Sequence, residues 1–341
     1  MTASAERAAT PPPAQRGRVP DFFIVGHAKC GTTALYEMLR AHPQICMPKY
    51  KWAAGKEPWY FSRDNPHPQA SSERSIEYTG RQEMTVEEYL SLFDEAHPGQ
   101  LIGEASTSYL WSPTAAARIA ASRPDARIIA ILREPASFLR SLHLQLLVNH
   151  HESEKDFRTA VALDEPRRNG ERIPSHSYWP RALIYSDRVR YVEQLRRYHA
   201  VFPREQMLVL IYDDFRADNE ATLRRVLRFL DVDDAAPPAA REANPSIGVR
   251  SMRLDALRRS LRRGQAPLPR VLQATGKALT SRRFRNAVFN PLERRLVYGS
   301  PPAPDEEFMT LLRRRFKPEV EALSEYLKRN RVALWGYDRI G

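Results

Sequence analysis

Short apolar runs set the rhythm of this chain, and polar, amphipathic stretches fill the intervals between them. Phe22 to Val25, Arg127 to Leu132 and Met207 to Tyr212 are nearly continuous in aliphatic or aromatic residues, which predicts strands buried in a sheet, and Leu101 to Glu104 predicts a short strand. Ile45 to Met47 predicts a shorter extended piece. The intervals carry helical spacing. Thr33 to Ala41 places Leu35 and Leu39 four apart before Pro43 stops it, and Val86 to Phe93, Pro113 to Ser122 and Pro135 to His150 read the same way. Arg181 to Phe202 is expected as one long helix whose apolar face is Leu183, Ile184, Val192, Leu195 and Tyr198. A further helical stretch opens at Asp213 and carries Leu223, Val226, Leu227 and Leu230, and a last helix is expected from Asp305 to Lys328. Strand and helix in alternation predict an α/β fold with a central parallel sheet covered on both faces. A ligand then belongs at the carboxyl ends of the strands, where Gly26 and Arg133 both lie.

The remaining stretches are irregular. Pro66 to Gly80 predicts a loop, Asp231 to Ala243 a linker, and His150 to Pro180 no defined element, so that it is expected as a variable wall for an acceptor. Residues 1–19 are rich in Ala, Pro, Thr and Arg without the apolar block of a signal peptide, which predicts a disordered leader, and 20–341 are expected to form a single domain. No apolar run is long enough to cross a bilayer. Two cysteines, Cys30 and Cys46, offer neither a disulfide framework nor a zinc site, in keeping with a reducing, cytoplasmic compartment.

Charge changes this picture at one place. The chain has a formal net charge of +12, and between Arg250 and Arg295 thirteen Lys or Arg face two acidic residues, Asp255 and Glu293, so this block alone holds +11. It suits a polyanionic cofactor, an acidic acceptor or peripheral contact with an anionic membrane, and equally a solvated arginine-rich face.

The candidate chemistry lies in the loop after the first strand. Gly26 and Gly31 have the spacing of the first and last glycine of the nucleotide-triphosphate loop GxxxxGK[ST], but Thr32 stands where its lysine belongs, and the lysine is Lys29 inside the loop. Loop amides and the unpaired N–H groups of a helix start converge on one anion. Arg133 ends the fourth strand, where a magnesium-dependent triphosphatase often carries a metal-binding aspartate; a guanidinium grips phosphate in bidentate fashion and does not bind a metal. Glu57 lies between Lys56 and the aromatic run Trp59-Tyr60-Phe61, the rings favouring a raised pKa and the lysine a lowered one.

With this lysine shift the loop resembles the 5′-phosphosulfate loop of the sulfotransferases that use 3′-phosphoadenosine 5′-phosphosulfate (PAPS), in their bacterial and Golgi, heparan-sulfotransferase-like branch. The resemblance runs from Pro20 to Tyr337. It implies a P-loop-type three-layer sandwich and transfer of a sulfuryl group from PAPS to a hydroxyl on a sugar, glycolipid or secondary metabolite, with no metal required. It also implies roles: Lys29 beside the bridging oxygen, Cys30, Gly31, Thr32 and Thr33 around the 5′-phosphate, Arg133 with Ser141 on the 3′-phosphate, and Arg250 as a second contact there. Glu57 would be the general base and Glu104, before Ser106, Thr107, Ser108 and Tyr109, its reserve. Leu334 to Tyr337 resembles the tryptophan-bearing tail that packs the domain shut. The Arg-Lys-Gly of the cytosolic branch is absent. A P-loop kinase acting on a small molecule and a non-catalytic polyanion-binding protein are the competing expectations; nucleic acid is not an expected partner.

Overall fold

Five strands carry the first part of the molecule: β1 (Phe22–Gly26), β2 (Ile45–Cys46), β3 (Leu101–Glu104), β4 (Arg127–Leu132) and β5 (Met207–Ile211). All pair in parallel, in the order β2-β3-β1-β4-β5. Phe22, Phe23, Ile24 and Val25 have no exposed surface, which is why their polarity does not alternate. The computed structural model describes residues 18–47, 56–62, 84–175, 177, 179–235, 248–249 and 298–340. The chain divides into two compact units, Met1–Arg133 with Arg190–Ala243 and Glu134–Val189 with Asn244–Gly341; the sheet belongs to the first.

Connections leave β1 towards β2 on one side and leave β4 towards β5 on the other. Their carboxyl ends therefore flank the point where the strand order reverses, the place where open α/β sheets hold ligands. Right-handed crossovers put the helix Thr32–Arg40 on one face and Ala115–Ser122 and Tyr191–His199 on the opposite face. The packing agrees, because Thr32–Arg40 touches the helix Asn219–Leu230 while Ala115–Ser122 touches Tyr191–His199. The α/β layering expected from the sequence is thus present.

The second unit is mostly helical. Glu134 caps the helix Pro135–Val148 by accepting from Ala136 N at 2.9 Å and Ser137 N at 2.8 Å, and that helix packs on Glu306–Leu327. Tyr337, fully buried, donates to Glu134 at 2.5 Å, so the tail does close this unit. Gly248–Val249 pairs antiparallel with Tyr298–Gly299, a contact with no signal in the sequence.

Two expectations need correction. Arg181 to Phe202 is not one helix but a tight turn at Pro180–Leu183, a single turn at Tyr185–Arg188 and the helix Tyr191–His199. The Asp164 carboxylate draws the N–H groups of Tyr185 and Ser186 to itself at 2.7 and 2.8 Å, restarting the chain there, and at Arg190 the chain returns to the first unit. His150 to Pro180 is no shapeless wall either. It forms the helices Phe157–Ala162 and Asp164–Arg168 around a buried pair, Arg167 and Glu152, at 2.8 Å. Arg250, the rest of the 250–295 block, residues 1–17 of the leader and the Pro66 to Gly80 loop lie outside the described residues.

Candidate anion and transfer site

The loop between β1 and the helix Thr32–Arg40 is shaped by two glycines. A Cβ on Gly26 would stand 2.7 Å from Leu110 Cβ and 3.4 Å from the carbonyl of Thr107, so the bare backbone lets the segment after β3 lie against the loop entrance. Gly31 has φ +87°, and a Cβ there would meet the Phe215 ring at 2.9 Å. Left-handed backbone at this point turns the chain directly into the helix. No side chain caps that helix among the described residues, which leaves its first-turn N–H groups for a ligand anion. Thr32 is buried and Thr33 exposed at its start.

Two cations serve this cradle. Lys29, itself at φ +62°, is half-buried; burial, and then the Arg133 charge, lower its pKa from the ordinary lysine value. Arg133 donates to the Lys29 carbonyl at 3.2 Å, lies 4.7 Å from the centre of the Tyr212 ring, and has its own carbonyl held by the Tyr191 hydroxyl at 2.9 Å. The two like charges oppose one another, and bound anions offset that opposition. Cys30 is fully buried, and desolvation pushes its thiol up to about 12, so it fills space rather than supplying a thiolate, and its N–H donates to the His27 carbonyl at 3.3 Å.

Glu57 is positioned by a different strand end. Phe61 plugs the segment into the core against Phe23 at 5.7 Å, Tyr89 at 5.5 Å and Tyr109 at 5.8 Å. Ser106 Oγ accepts from Trp59 N at 3.0 Å, and Trp59 adopts φ +56°. The carboxylate accepts from Trp59 Nε1 at 3.0 Å, Thr107 N at 3.2 Å and Thr107 Oγ1 at 2.9 Å on Oε2, and from Lys56 Nζ at 2.8 Å on Oε1. Burial alone raises its pKa, but the Lys56 charge and these bonds outweigh burial and hold Glu57 below the ordinary value. The sign that the sequence left open is therefore settled as ionised, with Oε1 the oxygen that keeps acceptor capacity. Thr107 links the two halves, binding Glu57 with its amide and hydroxyl while its carbonyl borders Gly26.

Glu104 behaves differently. It is 1% exposed, and Tyr89 and Tyr109 donate to its Oε2 at 2.7 and 3.0 Å. Burial raises its pKa to about 7, and the Glu57 charge pushes the same way. This is a core carboxyl behind Glu57, which explains little of what a solvent-facing base must do. Ser141 is buried on the helix Pro135–Val148 of the second unit.

The cradle, two cations and a separate ionised carboxylate fit an anionic donor and a hydroxyl acceptor. Residues 20–236 match the profile of the sulfotransferase family. The chain belongs to the sulfotransferase family. Its relatives include a sulfotransferase from Alicyclobacillus acidocaldarius of known crystal structure, 31% identical with a TM-score of 0.56, the match covering 71% of this chain and 91% of that one. Human carbohydrate sulfotransferase 15 is 28% identical over 260 residues, 63% of this chain and 44% of the relative. Human heparan sulfate glucosamine 3-O-sulfotransferase 3B1 is 28% identical over 213 residues, 62% of this chain and 46% of the relative. The match thus spans about half the length of these human sulfotransferases.

The sequence had marked Lys29, Gly31, Thr32, Arg133 and Glu57, and the structure gathers them at the ends of β1, β3 and β4. It assigns no role to His27, Tyr191 and Gln194 and names Thr107 only as part of the hydroxyl-bearing segment after Glu104; their roles arise from contacts between distant segments.

Proposed function

We propose that this sulfotransferase moves the sulfuryl group of PAPS to a hydroxyl of a carbohydrate acceptor. The observation that carries the reading is the uncapped helix start behind Lys29, fitted to a phosphosulfate, with Arg133 bonded to the Lys29 carbonyl at the neighbouring strand end and so placed for a second phosphate. PAPS would supply an activated sulfuryl group whose leaving group is a phosphate oxygen. Amides from Gly31 to Thr33 hold the 5′-phosphate, Cys30 being assigned there by resemblance alone, and Lys29 balances charge on the departing oxygen. Arg133 takes the 3′-phosphate; Ser141 and Arg250 are assigned to it by resemblance alone. Glu57 accepts the acceptor proton at Oε1 as the new O–S bond forms and the S–O bond to phosphate breaks.

The carbohydrate acceptor is supported by the names of the human relatives. A cytoplasmic location, supported by two free cysteines, and contact of the basic 250–295 block with an acidic acceptor or an anionic membrane belong to the same reading. The test is incubation with radiolabelled PAPS, with or without EDTA, and a panel of desulfated glycans, followed by mass spectrometry of the labelled product. Transfer that survives chelation is expected. Labelling from γ-labelled ATP with magnesium instead of from PAPS overturns the proposal in favour of a kinase.

A further inference from the structure

The helix Tyr191–His199 presents Tyr191 and Gln194, three residues apart and so on one face, to both halves of the cradle. Tyr191 donates its hydroxyl to the Arg133 carbonyl at 2.9 Å, and its ring lies 5.6 Å from the His27 ring. Gln194 Oε1 is 2.7 Å from His27 Nε2. His27, the second residue of the loop, is fully buried, Gln194 is 1% exposed, and His27 N donates to Ile131 O on β4 at 2.9 Å. One helical face therefore fixes the loop through an imidazole and the strand end through a carbonyl, and neither residue is assigned a part in transfer.

We infer that Gln194 and Tyr191 are positioning residues for the anion site, with Gln194 accepting the Nε2 proton of His27 and thereby holding a neutral, Nε2-protonated imidazole under the loop. This rests on the reading of the loop as a phosphosulfate cradle. The choice of a carboxamide has a physical reason. A glutamine oxygen accepts one hydrogen bond and leaves the histidine uncharged, so the local positive field comes from Lys29 and Arg133 alone. A carboxylate at 194 would instead draw a second proton onto His27, and once that proton left at higher pH the pair would carry a net negative charge beneath a site meant for phosphates. The titratable groups on the elements packed here are Lys29 and Cys30 on the loop, Arg133 after β4, Tyr191, Glu193, Arg196, Arg197, Tyr198 and His199 on the helix, and Tyr212 and Asp213 after β5. A donor held in a cradle misplaced by about 1 Å loses on the order of a hundredfold in rate, so a fixed loop matters more than an attractive one.

The test combines two readouts on the full chain. Long-range proton–nitrogen NMR of ¹⁵N-histidine-labelled protein reads the tautomer of His27, assigned by the resonance that changes between wild type, Gln194→Glu and the near-isosteric Gln194→Met. Calorimetry reads affinity for adenosine 3′,5′-bisphosphate and, as a probe that needs no adenosine pocket, pyrophosphate, from pH 6 to 8.5. Wild type is expected to keep the Nε2-protonated neutral form throughout. Gln194→Glu should form an imidazolium at the acid end and lose about tenfold in affinity for both probes, relative to wild type, as that imidazolium deprotonates. Gln194→Met should populate both tautomers and bind both probes more weakly at every pH. An Nδ1-protonated or charged His27 in wild type, or wild-type affinity of Gln194→Glu across the range, overturns the inference. If pyrophosphate behaves as described while adenosine 3′,5′-bisphosphate fails to bind wild type, the inference stands and the PAPS reading falls.

Discussion

Arg133 donates its guanidinium proton to the backbone carbonyl of Lys29, 104 positions earlier in the chain, at 3.2 Å. The bond joins the end of β4 to the bend of the loop after β1. Charged hydrogen bonds contribute about 1.5–3 kcal/mol each, so Arg133→Ala should weaken binding of adenosine 3′,5′-bisphosphate by about tenfold to a hundredfold. Calorimetric titration decides it, and unchanged affinity would remove Arg133 from the site.

Glu57→Gln should abolish most sulfuryl transfer while leaving nucleotide affinity within about twofold of wild type, since the amide keeps an acceptor for Trp59 and Thr107 but cannot take a proton. Because Lys56 and the surrounding bonds hold the Glu57 pKa down, it is already ionised at neutral pH. The wild-type rate should therefore have no acid limb from this residue between about pH 5 and 8. Retained turnover in the variant would send the base elsewhere.

Gly31→Ala combines a left-handed backbone with a Cβ at 2.9 Å from the Phe215 ring. Strain of this type costs roughly 1–3 kcal/mol, which should lower the melting temperature and blunt nucleotide binding together. Gly99→Ala is the control, at φ +86° but with open space around it, and should lose stability without losing affinity.

Glu104 provides a pH signature. Its carboxyl is raised from 4.5 to about 7 in the folded chain by burial, so the stability it contributes is full below its unfolded pKa and is lost as pH climbs through about 7. The span corresponds to about 3 kcal/mol at most. Glu104→Gln keeps an acceptor for Tyr89 and Tyr109 and should flatten the fall in denaturant midpoint between pH 5 and 8. A variant whose pH profile parallels wild type would contradict the assignment.

The buried strands, the helix starting at Thr32 and the loop with its displaced lysine were legible in the sequence, because continuous apolar runs, helical spacing and glycine each leave a local mark. Arg133 was legible too, since a charge directly after a buried strand must lie at its end. The broken helix between Pro180 and His199 was not: its apolar positions keep helical spacing, and the break comes from Asp164, a carboxylate about twenty residues earlier that takes the backbone donors of Tyr185 and Ser186. The charge state of Glu57 needed the tertiary structure for the same reason. Rings and lysine argued opposite ways in sequence, and only the folded chain adds the Thr107 amide and hydroxyl from 50 positions away. Gln194 and His27, 167 positions apart, left no mark at all. Local pattern thus determined which elements form and where an anion can be met, whereas the protonation of the groups around it was decided by burial and by hydrogen bonds between segments that only the fold brings together.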